Sequence, residues 1–433
     1  MSGRLNSFQQ TMLQWNDLHP YNAAHVVRVP VQLAFKRLQG AVSRTLETRG
    51  LNAYQVDRKR GTFRYGPSPS EIKIPIVGKG EIPREALGRE VARQLNLRFP
   101  LDGVVQPFRF FVVPEADAFS LGLVYLHVCA DAESIVRLLG EIAGVFLGRG
   151  DSGPDATWEL YPAPRDRLLF ARPWTWLRAL LAVPGQVRQI RRASRLQDRD
   201  PGDMSNEVLW FGISPEELDG LVAAGKRMGS TVHDLLLALL MKSLAVALPE
   251  RLPTGRRRRM AVGSIVNIRR DVGQSGGGAF GVFLGSFVVS HEVSKETGLV
   301  ELAVAIQEKT QRIKRLKLYL ATPGQLAFAR VVLGFFSTQR RRRFYQKHYP
   351  LWAGITNMNL NSLWGPGLAD RPMVYWRAVS TGPVTPLVLS ATTLGRAMQI
   401  GLSYRTTVFS AADVRQIKEN LTRAIGQLSL IES

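Results

Sequence analysis

Strand-like and helix-like segments alternate along both halves of this 433-residue chain, and this alternation constrains the fold more than any other feature. Apolar spacing near 3.6 predicts amphipathic helices, whereas β-branched and aromatic runs bounded by Gly or Pro predict strands. Helices are predicted over 35–49, 83–97, 130–148, 299–318 and 410–428, and strands over 25–33, 108–116, 119–128, 208–214 and 259–271. Such alternation in both halves indicates two α/β lobes of similar size.

An arginine-rich segment separates the two predicted lobes. Between Arg165 and Asp200 the sequence has nine arginines and three aspartates, interleaved with tryptophan, leucine and phenylalanine. We therefore divide the chain into an N-terminal lobe (1–164), a basic linker (165–206) and a C-terminal lobe (207–433). The linker is either a solvated connecting helix or an amphipathic element that contacts a membrane or an acidic partner.

The net charge points to an acidic partner. Lys and Arg number 57 and Asp and Glu number 35, which gives +22, and a charge of this size favours contact with nucleic acid, anionic lipid, a phosphorylated cofactor or an acidic protein. No zinc-finger, helix-turn-helix or RNP-type motif is present, so we do not expect a nucleic-acid partner.

Several classes of protein are disfavoured by what the sequence lacks. The one cysteine, Cys129, allows no internal disulfide, which suits a reducing compartment. The apolar stretch Leu235–Leu248 falls short of the roughly 20 residues that span a bilayer, and the N-terminus does not resemble a signal peptide. We therefore expect a cytoplasmic protein.

His127 is the histidine best placed for chemistry. It lies where a predicted strand passes into a predicted helix, and Asp131 follows four positions later. An imidazole with a pKa near 6.5 can remove a proton from an alcohol or amine at neutral pH. The alternative is a buried structural histidine. No histidines are spaced as metal ligands, and neither G-x-S-x-G nor a P-loop is present, so we expect no metal site, serine-hydrolase elbow or nucleotide loop.

The segment YLHVCADAES (125–134) resembles the HHxxxDG motif of the condensation-domain and CoA-dependent acyltransferase superfamily. His127 matches the second histidine and Asp131 the aspartate, whereas Leu126 and Ala132 replace the first histidine and the glycine. Four other segments resemble motifs of this superfamily, including its wax ester synthase branch, in the expected order: 228–239, 261–270, 278–287 and 355–366.

The resemblance implies two chloramphenicol acetyltransferase-like lobes in a V, with an active-site channel between them. It implies that His127 is the general base and that Asp131 pairs structurally with Arg269. It also implies acyl transfer from acyl-CoA or from the acyl-phosphopantetheine of an acyl carrier protein to a hydroxyl or amine acceptor. No permanently bound cofactor is expected. We expect a monomer, since the paired lobes would form the whole channel.

The second lobe contributes further candidate residues, which the motif near 355–366 suggests would orient the oxyanion or the acceptor: Asn357, Asn359 and Ser362. The alternative is that these residues belong to a strand-end turn.

Two arginine runs could guide an acidic partner: Arg256, Arg257, Arg258 and Arg259, and Arg340, Arg341, Arg342 and Arg343. The partner would be CoA, an acidic carrier protein or an anionic membrane surface on the inner face of the membrane. Aromatic residues surround the second run, as at an interfacial site: Phe335, Phe336, Phe344, Tyr345, Tyr349 and Trp352. A solvated basic face is the alternative. Because Leu126 and Ala132 depart from the motif, the rival function is a catalytically silent protein that docks a carrier protein or an anionic membrane.

Overall fold

The computed structural model describes residues 2–67, 71–148, 159–160, 173–252, 257–273, 279–337, 340–341, 344–345, 348–365, 367–368 and 370–430. Its helices are α1 (Ser7–Leu18), α2 (Phe35–Arg49), α3 (Pro83–Asn96), α4 (Ala132–Phe146), α5 (Pro173–Leu181), α6 (Val183–Arg191), α7 (Pro215–Arg227), α8 (Val232–Ala247), α9 (Leu299–Arg315), α10 (Thr322–Gly334), α11 (Asn361–Trp364) and α12 (Ala411–Leu430).

The strands are β1 (Ser2–Arg4), β2 (Asn22–Val29), β3 (Ala53–Asp57), β4 (Thr62–Gly66), β5 (Val104–Val105), β6 (Phe108–Pro114), β7 (Phe119–Leu126), β8 (Glu159–Leu160), β9 (Asn206–Ile213), β10 (Met260–Asn267), β11 (Ala279–Phe280), β12 (Leu284–His291), β13 (Ala353–Asn359), β14 (Val374–Val379), β15 (Leu387–Leu394) and β16 (Ala397–Arg405). Short 3-10 turns occupy Pro249–Arg251, Arg269–Val272 and Leu318–Ala321. The predicted mixture of helices and strands is confirmed.

The N-terminal lobe is built on a four-stranded antiparallel sheet in the order β14-β2-β7-β6. A smaller sheet, β1-β4-β3-β5, packs into the same hydrophobic core. Every residue of β7 is buried, because core side chains lie on both faces of this central strand. The helix that follows β7, α4, begins where the Asp131 side chain accepts a hydrogen bond from the Ser134 amide.

The C-terminal lobe is built on a six-stranded sheet in the order β12-β10-β13-β15-β16-β9. Strand β13 runs parallel to both of its neighbours, whereas the other pairs are antiparallel. Helix α8 packs against α9 and α12, and nearly all of its side chains are buried. Its long apolar run is therefore that of a central core helix.

One segment crosses between the lobes, which corrects the expectation that 207–433 forms a separate lobe. Strand β14 pairs along its full length with β2, so residues 374–379 complete the N-terminal sheet. The crossing strand also packs closely against β16. A side chain at Gly401 would collide with the Arg377 carbonyl, to which Trp210 donates a hydrogen bond of 3.1 Å.

The predicted basic linker contains two short helices, α5 and α6, whereas its first residues, 165–172, lie outside the described part of the chain. Ala193 forms a β-bridge with Arg259, which fixes the end of the linker against the C-terminal lobe. Among the described helices, none alone has the length and apolar composition to cross a membrane. The pair α7 and α8 meets that condition jointly but is bent by 103°.

Candidate active site

A cavity of about 1090 Å³ lies between the lobes and is lined by residues from both. His127 and Asp131 come from the N-terminal lobe, and Arg269, Asn357 and Arg377 come from the C-terminal part of the chain. A volume of this order is sufficient for a substrate larger than most drug-sized ligands. The cavity is the place where residues far apart in sequence can act on one molecule.

His127 is held in one orientation by three contacts. Its backbone amide donates to the Tyr21 carbonyl at 3.2 Å, and its ring stacks on the Tyr21 ring with centroids 5.4 Å apart. Its Nδ1 lies 3.0 Å from the Ala130 carbonyl oxygen. Because a carbonyl oxygen can only accept, Nδ1 carries the proton and Nε2 keeps its lone pair.

Burial lowers the pKa of His127 below its ordinary value of 6.5, and this effect outweighs the opposing hydrogen bond and the charge of Asp131. The imidazole is therefore neutral at pH 7, which is the form that a general base requires. The arrangement can accept a proton at Nε2 from a group bound in the cavity.

Asp131 and Arg269 form a buried, bidentate ion pair across the lobes. The two guanidinium nitrogens of Arg269 donate to the two carboxylate oxygens at 2.7 and 2.8 Å. The Phe283 amide donates to the same carboxylate at 3.0 Å, and the Arg269 guanidinium lies 4.2 Å from the Phe283 ring centroid. Burial alone would raise the pKa of Asp131, but the Arg269 charge and these hydrogen bonds hold it below its ordinary value. The carboxylate thus fixes the loop that carries His127 against the C-terminal lobe.

The two departures from the motif are accommodated by the local structure. Leu126 ends β7 and is fully buried in the N-terminal core. Ala132 is the first residue of α4 and does not adopt a positive φ, so alanine fits this position without strain. Neither substitution disturbs His127 or Asp131.

The structure separates the three polar candidates near residue 360. Asn357 lies on β13 and lines the cavity, where its side-chain oxygen is buried without a hydrogen-bond partner. Asn359 is exposed and accepts from the Asn361 amide, and Ser362 is exposed on α11. Neither lines the cavity, so the expectation that Asn359 and Ser362 face it is wrong. The motif lies at a strand end, where successive residues leave the cavity wall.

A buried polar network on the cavity wall was missed by sequence reasoning. His25 Nδ1 lies 2.7 Å from the Tyr375 hydroxyl, and the Tyr125 hydroxyl lies 3.4 Å from Nε2. Arg377 pairs with His25 across β14 and β2. A lone arginine inside the apolar strand MVYWRAVS (373–380) was the available signal, because a charge inside a strand of this kind needs a reason.

The basic runs are only partly described. Arg256, Arg342 and Arg343 lie outside the described residues, whereas Arg257, Arg258 and Arg340 are exposed and Arg259 is half-buried. The Arg341 side chain donates to the Leu333 and Phe336 carbonyls at the end of α10. That residue therefore has a local structural role.

The aromatic surroundings of the second run correct an expectation. Trp352 is fully buried and donates to the Ser194 hydroxyl, and Tyr345 is buried in a small cluster with Leu18 and Leu333. Phe335, by contrast, is 84% exposed. The exposed apolar surface thus lies on α10 and at its C-terminal end, and not around the second arginine run. Among the described residues, no three His, Cys, Asp or Glu side chains are grouped to hold a metal ion.

No protein-family model and no curated protein sequence matches this chain. Solved structures do match its fold. The condensation domain from the monacolin K polyketide synthase superposes with a TM-score of 0.71 at 11% identity, covering 100% of this chain and 98% of that one.

Two further structures match over nearly the whole chain. The first condensation domain of the CDA synthetase gives a TM-score of 0.67 at 15% identity, covering 100% and 97%. The nonribosomal peptide synthetase cyclization-docking bidomain from Sorangium cellulosum gives 0.69 at 13% identity, covering 99% and 85%. The chain therefore has the two-lobed, chloramphenicol acetyltransferase-like fold of condensation domains.

Proposed function

We propose that the protein is an acyltransferase that forms an ester or amide from an acyl thioester and an alcohol or amine. One observation carries this proposal. His127 lines the cavity between the lobes with its Nδ1 committed to the Ala130 carbonyl, which leaves Nε2 available as a base. The donor would be acyl-CoA or the acyl-phosphopantetheine of a carrier protein, and no permanently bound cofactor takes part.

In the proposed reaction, Nε2 of His127 takes the proton from the acceptor hydroxyl or amine. The acceptor oxygen or nitrogen forms a bond to the thioester carbonyl carbon, and the carbonyl oxygen becomes an oxyanion. The C–S bond then breaks as the oxyanion collapses, and the departing thiolate takes the proton back from the imidazolium. Asn357 lines the cavity and is the candidate to orient the two reactants: its side-chain amide nitrogen can donate to the oxyanion, and its side-chain oxygen, which has no hydrogen-bond partner, can accept from the acceptor hydroxyl or amine.

The test is a thioester-consumption assay read by intact mass. The protein is offered acyl-CoAs of graded chain length and acyl-carrier proteins, together with a pool of alcohols and amines. We expect His127→Ala to lower turnover by about 10²–10⁴-fold, the usual contribution of a general base. His291→Ala is the matched control, because His291 lies outside the cavity lining and should keep full activity. Undiminished turnover in His127→Ala would refute the assignment.

A second candidate function, docking to an anionic lipid surface, is favoured by an exposed apolar surface on α5 and α10. Residues at helical spacing place three large side chains on one face of each helix, with exposures between 41% and 84%: Trp174, Leu177 and Leu181 on α5, and Phe328, Val331 and Phe335 on the α10 segment. Leu180 packs over Gly324, so the two helices are neighbours. Leu181 and Phe328 also line the cavity, which makes the surface continuous with it.

The charge around this surface suits anionic lipid. Residues 173–197 and 322–350 contain five and six Lys or Arg residues and no Asp or Glu. Basic side chains beside exposed Trp and Phe are typical of elements that lie in a membrane interface. The surface in question would be the cytoplasmic face of the membrane, and an acyl chain could pass from it into the cavity.

Vesicle flotation tests this second function. We expect binding to phosphatidylglycerol-containing vesicles, weaker binding to pure phosphatidylcholine vesicles, and loss of binding in the triple variant Trp174→Ser/Phe328→Ser/Phe335→Ser. The control is Val300→Ser, which changes an exposed apolar residue on α9 outside the cavity lining. Capture of an acidic carrier protein without any vesicle binding would instead favour protein docking.

A further inference from the structure

We propose that the cavity holds a second subsite, centred on Arg377, that binds an anionic group of the substrate. This inference rests on the proposed acyl transfer and deepens it, because it assigns a chemical class to the acceptor. The acceptor would be a hydroxy or amino acid with a free carboxylate, bound by Arg377 while its hydroxyl or amine lies near His127.

Arg377 is fixed in place by neutral groups. Its Nε donates to the Thr392 hydroxyl at 2.7 Å and one terminal nitrogen donates to the Ala391 carbonyl at 2.5 Å. Longer contacts of 3.4 Å reach the hydroxyl and the carbonyl of Thr356. These acceptors come from β13 and β15, so the side chain extends from the crossing strand β14 to the C-terminal sheet. The guanidinium is thereby preorganised without losing its charge.

That charge has no counterion in the described residues. Arg377 is 3% exposed, and no described carboxylate lies within 4 Å of it. The other buried arginines each have a carboxylate partner: Arg49 with Glu141, Arg269 with Asp131, and Arg405 with Asp198. Buried charges are normally paired. Burial lowers the pKa of Arg377 only to about 10, so the side chain remains a cation at neutral pH.

Two polar groups on the cavity wall have no hydrogen-bond partner among the described residues. Thr381 is 3% exposed, and its hydroxyl is buried without a hydrogen bond. The Asn357 side-chain oxygen, on the strand that carries Thr356, is likewise buried and unsatisfied. Both residues line the cavity. Buried polar groups are nearly always satisfied, so these two groups indicate a polar ligand. The Thr381 hydroxyl can donate to an anion and the Asn357 oxygen can accept from a hydroxyl or amine, whereas the anionic character of the ligand is inferred from the Arg377 charge alone.

The subsite lies within reach of the base. His25 pairs with Arg377 across the strands, and its pKa is lowered by burial, by the Arg377 cation and by the protonated form of His127. The Tyr125 ring lies against both His25 and His127, with ring centroids 5.5 Å apart in each case. His25 and Tyr125 therefore connect the arginine to the base, and cross-strand neighbours such as Arg377 and His25 are about 5 Å apart. A compact acceptor can span this distance with its acid group at one end and its nucleophile at the other.

Isothermal titration calorimetry with matched probes tests the subsite: 3-hydroxyoctanoate, 3-hydroxyoctanamide and octyl phosphate. The wild-type protein should bind the acid at least about tenfold more tightly than the amide, as expected for a charge-assisted hydrogen bond. Arg377→Met should remove this preference, and Arg377→Lys should retain part of it. Arg188→Met, the same change at an exposed arginine outside the cavity lining, should leave it unchanged.

Equal affinity of the wild-type protein for acid and amide overturns the proposal, and so does an acid preference that survives Arg377→Met. Binding of octyl phosphate in place of the acid would keep the anion subsite and assign it to a phosphate monoester. Because binding needs no turnover, the outcomes remain distinct. A preference for the acid without thioester consumption would support the subsite and contradict acyl transfer. Turnover of the acid and the amide at equal rates would support acyl transfer and contradict the subsite.

Discussion

Two arginines are buried where the lobes meet, and their charges are balanced in opposite ways. Arg269 faces Asp131 in a bidentate ion pair at 2.7 and 2.8 Å, whereas Arg377 donates to hydroxyls and carbonyls that carry no charge. The first arrangement is complete without a ligand and fixes the loop that holds His127. The second is complete only when an anion enters the cavity. Arg269 therefore has a structural role in the site, whereas Arg377 is the arginine proposed to bind a ligand.

Breaking the ion pair should have the largest effect on folding. Asp131→Ala removes the bidentate partner of the buried Arg269, whose other described carboxylate neighbour is Glu133 at 3.8 Å, and we expect the free energy of unfolding to fall by about 3–5 kcal/mol. Denaturant titration measures this loss. The double variant Asp131→Ala/Arg269→Met should be more stable than Asp131→Ala, because it leaves no stranded charge. A single variant as stable as the wild-type protein would contradict the assigned structural role.

Removing the unpaired arginine should have a smaller effect. Arg377→Met leaves no described carboxylate stranded, and the hydrogen bonds that it loses are offset by the relief of an uncompensated buried charge. We expect the free energy of unfolding to change by at most about 2 kcal/mol in the same titration. A loss as large as that of Asp131→Ala would show that Arg377 is as structural as Arg269, which would remove the contrast.

The smallest effect is a shift in pH dependence. Burial lowers the pKa of His127 below its ordinary value of 6.5. The neutral imidazole therefore remains the main form at a lower pH than it would in water. We expect the acidic limb of the kcat/KM profile to be centred below pH 6.5. Between the unfolded and folded pKa the unfolded chain binds more protons, so this residue destabilises the fold as the pH falls through that window. An acidic limb centred above 6.5 would contradict a buried, neutral base.

The pH dependence of Asp131 sharpens the same comparison. Its pKa is held below the ordinary value by Arg269, so its contribution to stability is present above about pH 3.9 and is lost as the pH falls through the lower, folded pKa. The stability difference between the wild-type protein and Asp131→Asn should therefore shrink in strong acid. Arg377 has no carboxylate partner in the described part of the chain, so we expect no such loss of stability in acid from it.

Local patterns were sufficient to predict much of the architecture. Apolar periodicity predicted α4 and α9, and the segment 125–134 placed His127 and Asp131 at a strand-to-helix loop. These features depend on neighbours in sequence, which is why they can be recognised without the fold. The Asp131 and Arg269 contact was suggested by resemblance to a family and not by spacing, because 138 positions separate the two residues.

What sequence reasoning missed depends on distant contacts. The apolar pattern of β14 identifies a strand but not the sheet that it joins. The proposed role of Arg377 follows from the absence of a carboxylate partner among the described residues, which no sequence pattern records. The arginines that adjoin Trp352 and Tyr345 in sequence predict an interfacial position for both residues, yet their side chains are buried in the protein. Asn359 and Ser362 lie too far along the strand end to reach the cavity.

The crossing strand also affects the order in which the chain can fold. Because β2 is completed by residues 374–379, the N-terminal sheet keeps an open edge until most of the polypeptide has left the ribosome. During synthesis that edge can pair with other chains, so the nascent protein is exposed to aggregation for most of its translation. Closing the edge joins segments about 350 residues apart, a pairing that is intrinsically slow. The N-terminal sheet is therefore completed only after residues 374–379 have been synthesised.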